Sequence, residues 1–234
     1  MIELDGSMIH CREAWREVKL MRVGMHGDTD PVYLAELKDS ERFEELLRKS
    51  KGFADLQQRD NVLWIADGLP YNWNVQKRLC PKAKGLLDFY HAMENACKCG
   101  KAVLDDDAGM ADMFRSRVAH LLLTGEIDML FDELKECIPY KPKTKRDKKN
   151  AEALWDFYKY MDKHRERLTY AEFLARGWPI GSGAIESAHK HVIQTRMKQA
   201  GMRWSVDGAQ HMLTLRALYS SVGPKRFPEI MKAA

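Results

Sequence analysis

The chain is poor in the features that would place it in a membrane or an oxidising compartment. No uninterrupted apolar run approaches the roughly 18 residues that a membrane-spanning helix requires, and no charged n-region followed by an apolar h-region opens the sequence. Only five cysteines occur in 234 residues, at Cys11, Cys80, Cys97, Cys99 and Cys137, and their irregular spacing gives no disulfide framework. Cys97-Lys98-Cys99 has no second pair at finger-like spacing behind it, which favours thiols buried on a helix over a zinc site. A Gly-rich phosphate loop, a nucleophile elbow and internal repeats are also missing, so nothing here speaks for a small-molecule metabolic enzyme. The expected setting is the cytoplasm, with no membrane partner.

What is present starts with length and charge. At 234 residues the chain can build one sizeable core, or a core carrying an insertion. Lys and Arg total 38 against 34 acidic residues, and a net charge of +4 permits a polyanionic partner without demanding one. The distribution is more informative, because basic residues crowd into Lys141–Lys149 and Lys190–Arg203, two candidate phosphate contacts.

Along the chain the apolar period changes. Short β-rich runs, Met1–Leu4, Ala14–Val23 and Pro31–Leu37, predict a three-strand antiparallel meander. Ser40 then caps a helix carrying Phe43, Leu46 and Leu47 on one face, and Val62–Ala66 reads as a buried strand parallel to its partner. Pro70–Leu79 predicts a helix, Lys84–Leu87 a fifth strand and Phe89–Lys101 another helix, giving the order βββαβαβα. From Ala108 to Ala175 the pattern is purely helical, interrupted by an exposed, mobile, lysine-rich loop at Pro139–Lys149. After Gly181-Ser182-Gly183 come a helix ending at Gly201 and a last one over Ser205–Ser220.

Three acids stand where a metal centre can be built. Asp5 and Asp67 each follow a strand run, and Glu186 lies in the first turn of a helix for which Ser182 is the candidate N-cap. Side chains at the carboxyl ends of neighbouring strands open into one crevice. Attack on a phosphodiester needs a deprotonated nucleophile and charge neutralisation at phosphorus, and two metals about 3.5–4 Å apart supply both. Taken singly, each acid is equally well explained by turn or capping chemistry.

Longer segments carry a resemblance. Asp5-Gly6-Ser7, Ile65-Ala66-Asp67-Gly68-Leu69-Pro70-Tyr71-Asn72-Trp73, Leu87-Asp88-Phe89-Tyr90-His91-Ala92, Pro179-Ile180-Gly181-Ser182-Gly183-Ala184-Ile185-Glu186-Ser187 and Arg196-Met197-Lys198-Gln199-Ala200-Gly201-Met202-Arg203-Trp204 together resemble bacterial insertion-sequence transposases of the Kra type. They are similar, more distantly, to the Mutator-like group. The resemblance runs from Asp5 to about Leu218, and its most specific part is the Gly-Ser-Gly-x-x-Glu block with its Arg-Met-Lys partner.

The resemblance implies an α/β fold of the RNase H-like kind: a mixed sheet of three antiparallel then two parallel strands, with an all-helical insertion before the last catalytic helix. Residues 1–104 and 177–234 would form the core and 105–176 the insertion. It implies a DDE set of Asp5, Asp67 and Glu186 holding two Mg²⁺ (or Mn²⁺) ions. Asp88, which also follows a strand, competes for the place of second acid; Asp67 is preferred because the fourth strand neighbours the first in this fold. Asp88 and His91 then become near-site helpers, with a structural role for His91 equally open. The implied activity is metal-dependent cleavage and strand transfer on double-stranded DNA at element ends and target, by a homo-oligomer associated with the nucleoid.

The basic helix would serve the same partner. Lys190, Gln194, Arg196, Lys198 and Arg203 are candidate phosphate contacts, and Trp204 and Trp178 stack on an unpaired base or pack locally. Ile185, Ala188, Val192 and Met197 supply the apolar stripe behind them. The chain starts four residues before Asp5, whereas transposases of this kind normally carry an upstream domain that reads terminal repeats. A truncated frame or one part of a split gene is the expectation, and a DNA-binding remnant or a nuclease without strand transfer are the alternatives.

Overall fold

Continuous antiparallel pairing fixes the first three strands. In the computed structural model, which describes residues 1–25, 31–37, 39–50, 53, 56–57, 59–104 and 107–233, β1 (Ile2–His10), β2 (Trp15–Val23) and β3 (Val32–Glu36) form the antiparallel meander. β1 is longer than the run Met1–Leu4. It continues through Asp5-Gly6-Ser7 because β2 pairs with it without a break from Ile2↔Val23 to His10↔Trp15. Asp5 therefore stands within a strand, opposite Leu20, and not at a strand end.

β4 (Leu63–Ala66) is buried along its whole length, the signature of a strand covered on both faces. It joins β1 in parallel register, and β5 (Lys84–Leu87) lies outside it, so the sheet is mixed with order β3-β2-β1-β4-β5. Helix α1 (Ser40–Lys49) precedes β4; its cap is Asp39, not Ser40, because Asp39 holds the extended conformation from which its carboxylate accepts the Arg42 amide at 2.6 Å. Helix α2 (Pro70–Leu79) follows β4 with proline at its first position, where no amide is needed.

The chain divides into two compact units, Met1–Gly85 with Ser182–Ala234, and Leu86–Gly181. In the first, α8 (Gly183–Ala188), a π-helical turn (His189–Gln194) and α9 (Thr195–Met197) run on as one helical segment. Their buried residues Ile185, Ala188, Val192, Ile193 and Met197 pack on Ile9, Val18 and Leu20 of the sheet. Helix α10 (Val206–Ala233) completes this core with Ala209, Leu213 and Ala217, and extends past the expected end at Ser220. It breaks at Gly223, whose φ of 74° lies in the left-handed region, immediately before Pro224. Buried Gln210 ties α10 to β3: its carbonyl accepts the Leu37 amide at 2.8 Å and its amide donates to the Ala35 carbonyl at 3.3 Å.

The second unit is the helical block: α3 (Phe89–Val103), α4 (Ala108–Thr124), α5 (Ile127–Cys137), α6 (Lys145–Lys163), a 3₁₀ turn (Arg165–Arg167) and α7 (Tyr170–Ala175). Leu121, Phe131, Leu154, Phe157 and Met161 form its interior. The division falls at Leu86, whereas the sequence places it at 105, because α3 packs with α4 and α6; residues 105 and 106 lie outside the described residues. The lysine-rich stretch is a loop only as far as Thr144. There a capping box starts α6: the Thr144 hydroxyl accepts the Asp147 amide at 3.0 Å and the Asp147 carboxylate accepts the Thr144 amide at 3.0 Å.

Candidate metal centre

Register brings two acids together. The parallel pairing of β1 with β4 runs Ile2↔Trp64, Glu3↔Ile65, Leu4↔Ala66, and the next residues on the two strands are Asp5 and Asp67. β4 stops at Ala66 while β1 goes on beside β2, so space opens at the end of β4. Each acid offers a carboxylate oxygen within 4.8 Å of the other's. Both are partly buried.

The local chain holds each carboxylate. Asp5 Oδ1 accepts the Gly6 amide at 2.7 Å. Asp67 Oδ1 accepts the Leu69 amide at 2.9 Å and the Asn72 side-chain amide at 2.8 Å. Asn72 is buried in the first turn of α2, so the helix start fixes the acid through a side chain that has lost its own freedom. A small cleft beside Asp5 is lined by Glu17, Lys19, Tyr71 and Asn72. Burial pushes the Tyr71 phenol up to about 12, and its hydroxyl donates to the Ser40 carbonyl at 3.2 Å.

Glu186 stands apart from this pair. It is exposed on α8, and the Ser182 hydroxyl forms no cap to that helix. Among the described residues, the ligand atoms that cluster within 4.8 Å around Asp5 and Asp67 do not include those of Glu186. The side chain that does reach Asp5 from this segment is His189, one turn further on. Its Nε2 lies 3.2 Å from Asp5 Oδ2 with the imidazole only 5% exposed. That approach lacks the alignment of a hydrogen bond, and both ring nitrogens are buried without a hydrogen-bond partner among the described residues. His189 was not among the residues singled out from sequence. The signal was available: it lies four residues after Ile185 and three before Val192, a polar side chain in an apolar stripe.

Asp88, fully buried, caps α3: one oxygen accepts the Tyr90 amide at 3.1 Å and the other lies 2.5 Å from His91 Nδ1. Both oxygens thus have a role at the helix start within their own unit. Lys190, Gln194, Arg196, Lys198 and Arg203 are exposed, and Lys198 donates to the Ser7 hydroxyl at 3.2 Å. Trp204 is half-buried and works as a junction: its ring nitrogen donates to the Met197 carbonyl at 3.2 Å, and its backbone amide and carbonyl bond His10 and Arg12. Arg196 lies over its ring at 5.7 Å. Trp178 packs edge-on to Phe173.

Two carboxylates at adjacent strand positions, one braced by a buried amide, are the hard oxygen donors that Mg²⁺ or Mn²⁺ takes while keeping several waters, so the residues present fit a divalent cation. The donor set is too common to name a reaction by itself. Compared with known proteins, the chain matches no family model and no curated protein.

Proposed function

We propose that the chain is the catalytic core of a DDE-type DNA transposase with an RNase H-like fold, cutting and joining phosphodiesters on double-stranded DNA. The observation that carries the proposal is the convergence of Asp5 and Asp67 one register step beyond the last β1–β4 pair. The strand order β3-β2-β1-β4-β5 and the helical unit between Asp67 and Glu186 in the chain also support it. Bound divalent cations supply neutralisation at phosphorus and a water of lowered pKa. Asp5 and Asp67 hold and orient those cations, and Asn72 and the Leu69 amide keep the Asp67 carboxylate from rotating away. The exposed cations of the segment from Lys190 to Arg203 neutralise DNA phosphates. No histidine base would be required, because a bound cation would itself lower the pKa of its water.

The test is incubation of the protein with Mn²⁺ and a pre-nicked element end. Joining of the freed 3′ end to target DNA is the expected result, and Asp67→Asn abolishes it while DNA retention persists. Turnover unchanged in Asp67→Asn defeats the assignment of the site; cutting without joining reassigns the chain as a nuclease. One observation favours a second reading. Because Glu186 lies outside the carboxylate pair, a DNA-binding remnant without turnover is the rival, and it predicts retention with neither cutting nor joining.

A further inference from the structure

We infer that His189 is a nitrogen ligand of the cation held by Asp5, so that this centre selects a first-row transition ion such as Mn²⁺ or Co²⁺ over Mg²⁺. The inference rests on the proposed cation site and specifies which ion it takes.

Three observations carry it. First, the imidazole is 95% buried by side-chain area, and among the described residues neither nitrogen has a hydrogen-bond partner. Buried polar groups in folded chains are nearly always partnered, so an orphan imidazole aimed at an acid marks a place for something else. Second, Nε2 lies 3.2 Å from Asp5 Oδ2 without hydrogen-bond alignment. Two cis ligands of an octahedral ion at about 2.1 Å stand roughly 3 Å apart and need no mutual alignment, because each points at the ion between them. Third, His189 occupies a position in the stripe Ile185, Ala188, Val192, Ile193 that an apolar residue would fill at no cost. It also opens the π-helical turn His189–Gln194, an irregularity that persists mainly where a side chain must be aimed.

Ligand chemistry then sets the ion. Carboxylates alone suit Mg²⁺, but an imidazole in the set shifts preference along the first transition row. Asp67 offers a second carboxylate oxygen within 4.8 Å of one of Asp5's.

The experiment loads the full chain with Mn²⁺ alone and reads pulsed EPR for nitrogen coupling to the metal. The expected spectrum contains ¹⁴N modulation that is absent in His189→Gln, a variant that keeps a buried polar group of similar reach. Thermal shift gives the second readout: Mn²⁺ and Co²⁺ stabilise the wild-type chain at concentrations about tenfold lower than Mg²⁺ does, and in His189→Gln that preference collapses. Mn²⁺ bound through Asp5 with an all-oxygen spectrum overturns the inference and leaves the proposed function standing. Nitrogen coupling that survives in His189→Gln also overturns it. Absence of any Mn²⁺ or Mg²⁺ binding that Asp5→Asn removes overturns both.

Discussion

At Asp67 two donors of different kinds meet one oxygen, a backbone amide from Leu69 and the side-chain amide of Asn72. The side-chain donor can be removed without touching the backbone. Asn72→Ala keeps the Asp67 charge and loses the brace, and the cost of losing such an outer partner is typically about 10–100-fold in metal affinity or activity. The expected outcome is a Mn²⁺ titration midpoint raised by that factor, with an unchanged far-ultraviolet circular dichroism spectrum. Asn72→Asp serves as the contrasting change. It places a like charge 2.8 Å from Asp67 Oδ1, a repulsion that lowers the stability of the metal-free chain and that a bound cation relieves.

Helix starts in this chain depend on side-chain acceptors whose identity is hard to read in charged surroundings. Thr144 and Asp147 sit inside a run of lysines that reads as a solvated loop, yet together they satisfy two amides of α6 and place an acid at its positive end. Thr144→Ala removes one of those bonds, and its expected cost is about 1 kcal/mol, measured as a lowered midpoint in urea unfolding. Hydrogen exchange would rise at Lys145–Lys148 in the same variant. The same difficulty explains Asp39 in place of Ser40: two adjacent residues both suit a cap, and the choice is made by which one the preceding chain leaves extended. On the segment from Gly183 to Met197 the period-3.6 stripe was legible. His189 was legible only as a polar residue in that stripe; what it faces emerges once Asp5 is seen opposite it.

For the molecule as a whole, the strand types, their order in the chain and the helical block were legible from periodicity and composition. Two things were not. Asp5-Gly6 has the composition of a turn, and only pairing with β2 on a neighbouring segment keeps it in a strand. Glu186, chosen for its helix-start position, turns outward, since the helical period assigns the inward positions to Ile185, Ala188 and His189. The five thiols are free, as the spacing implied, and burial pushes Cys80 up to about 11 and Cys99 up to about 12. With Tyr71 these groups are neutral in the folded chain and ionise more readily once exposed. Their folded values are raised, so their contribution is complete below pH 9, the ordinary thiol value, and is lost as pH rises towards 12. Urea midpoints are expected to fall steadily over that window, and Cys99→Ala to flatten the part of the decline between pH 9 and 12. A thiol reagent at pH 8 is expected to modify exposed Cys137 first and to reach buried Cys11, Cys80 and Cys99 only after unfolding.

The ladder joining β1 to β4 is three pairs long, and everything at the centre inherits its phase. A single codon gained or lost within Leu63–Ala66 would preserve composition, strand number and apolar content, yet turn the Asp67 side chain to the opposite surface of the sheet. A chain with such an indel would look whole by every coarse measure and still hold its two carboxylates apart. Counting acids is therefore a poor guide to whether the pair survives; the length of the fourth strand is a better one.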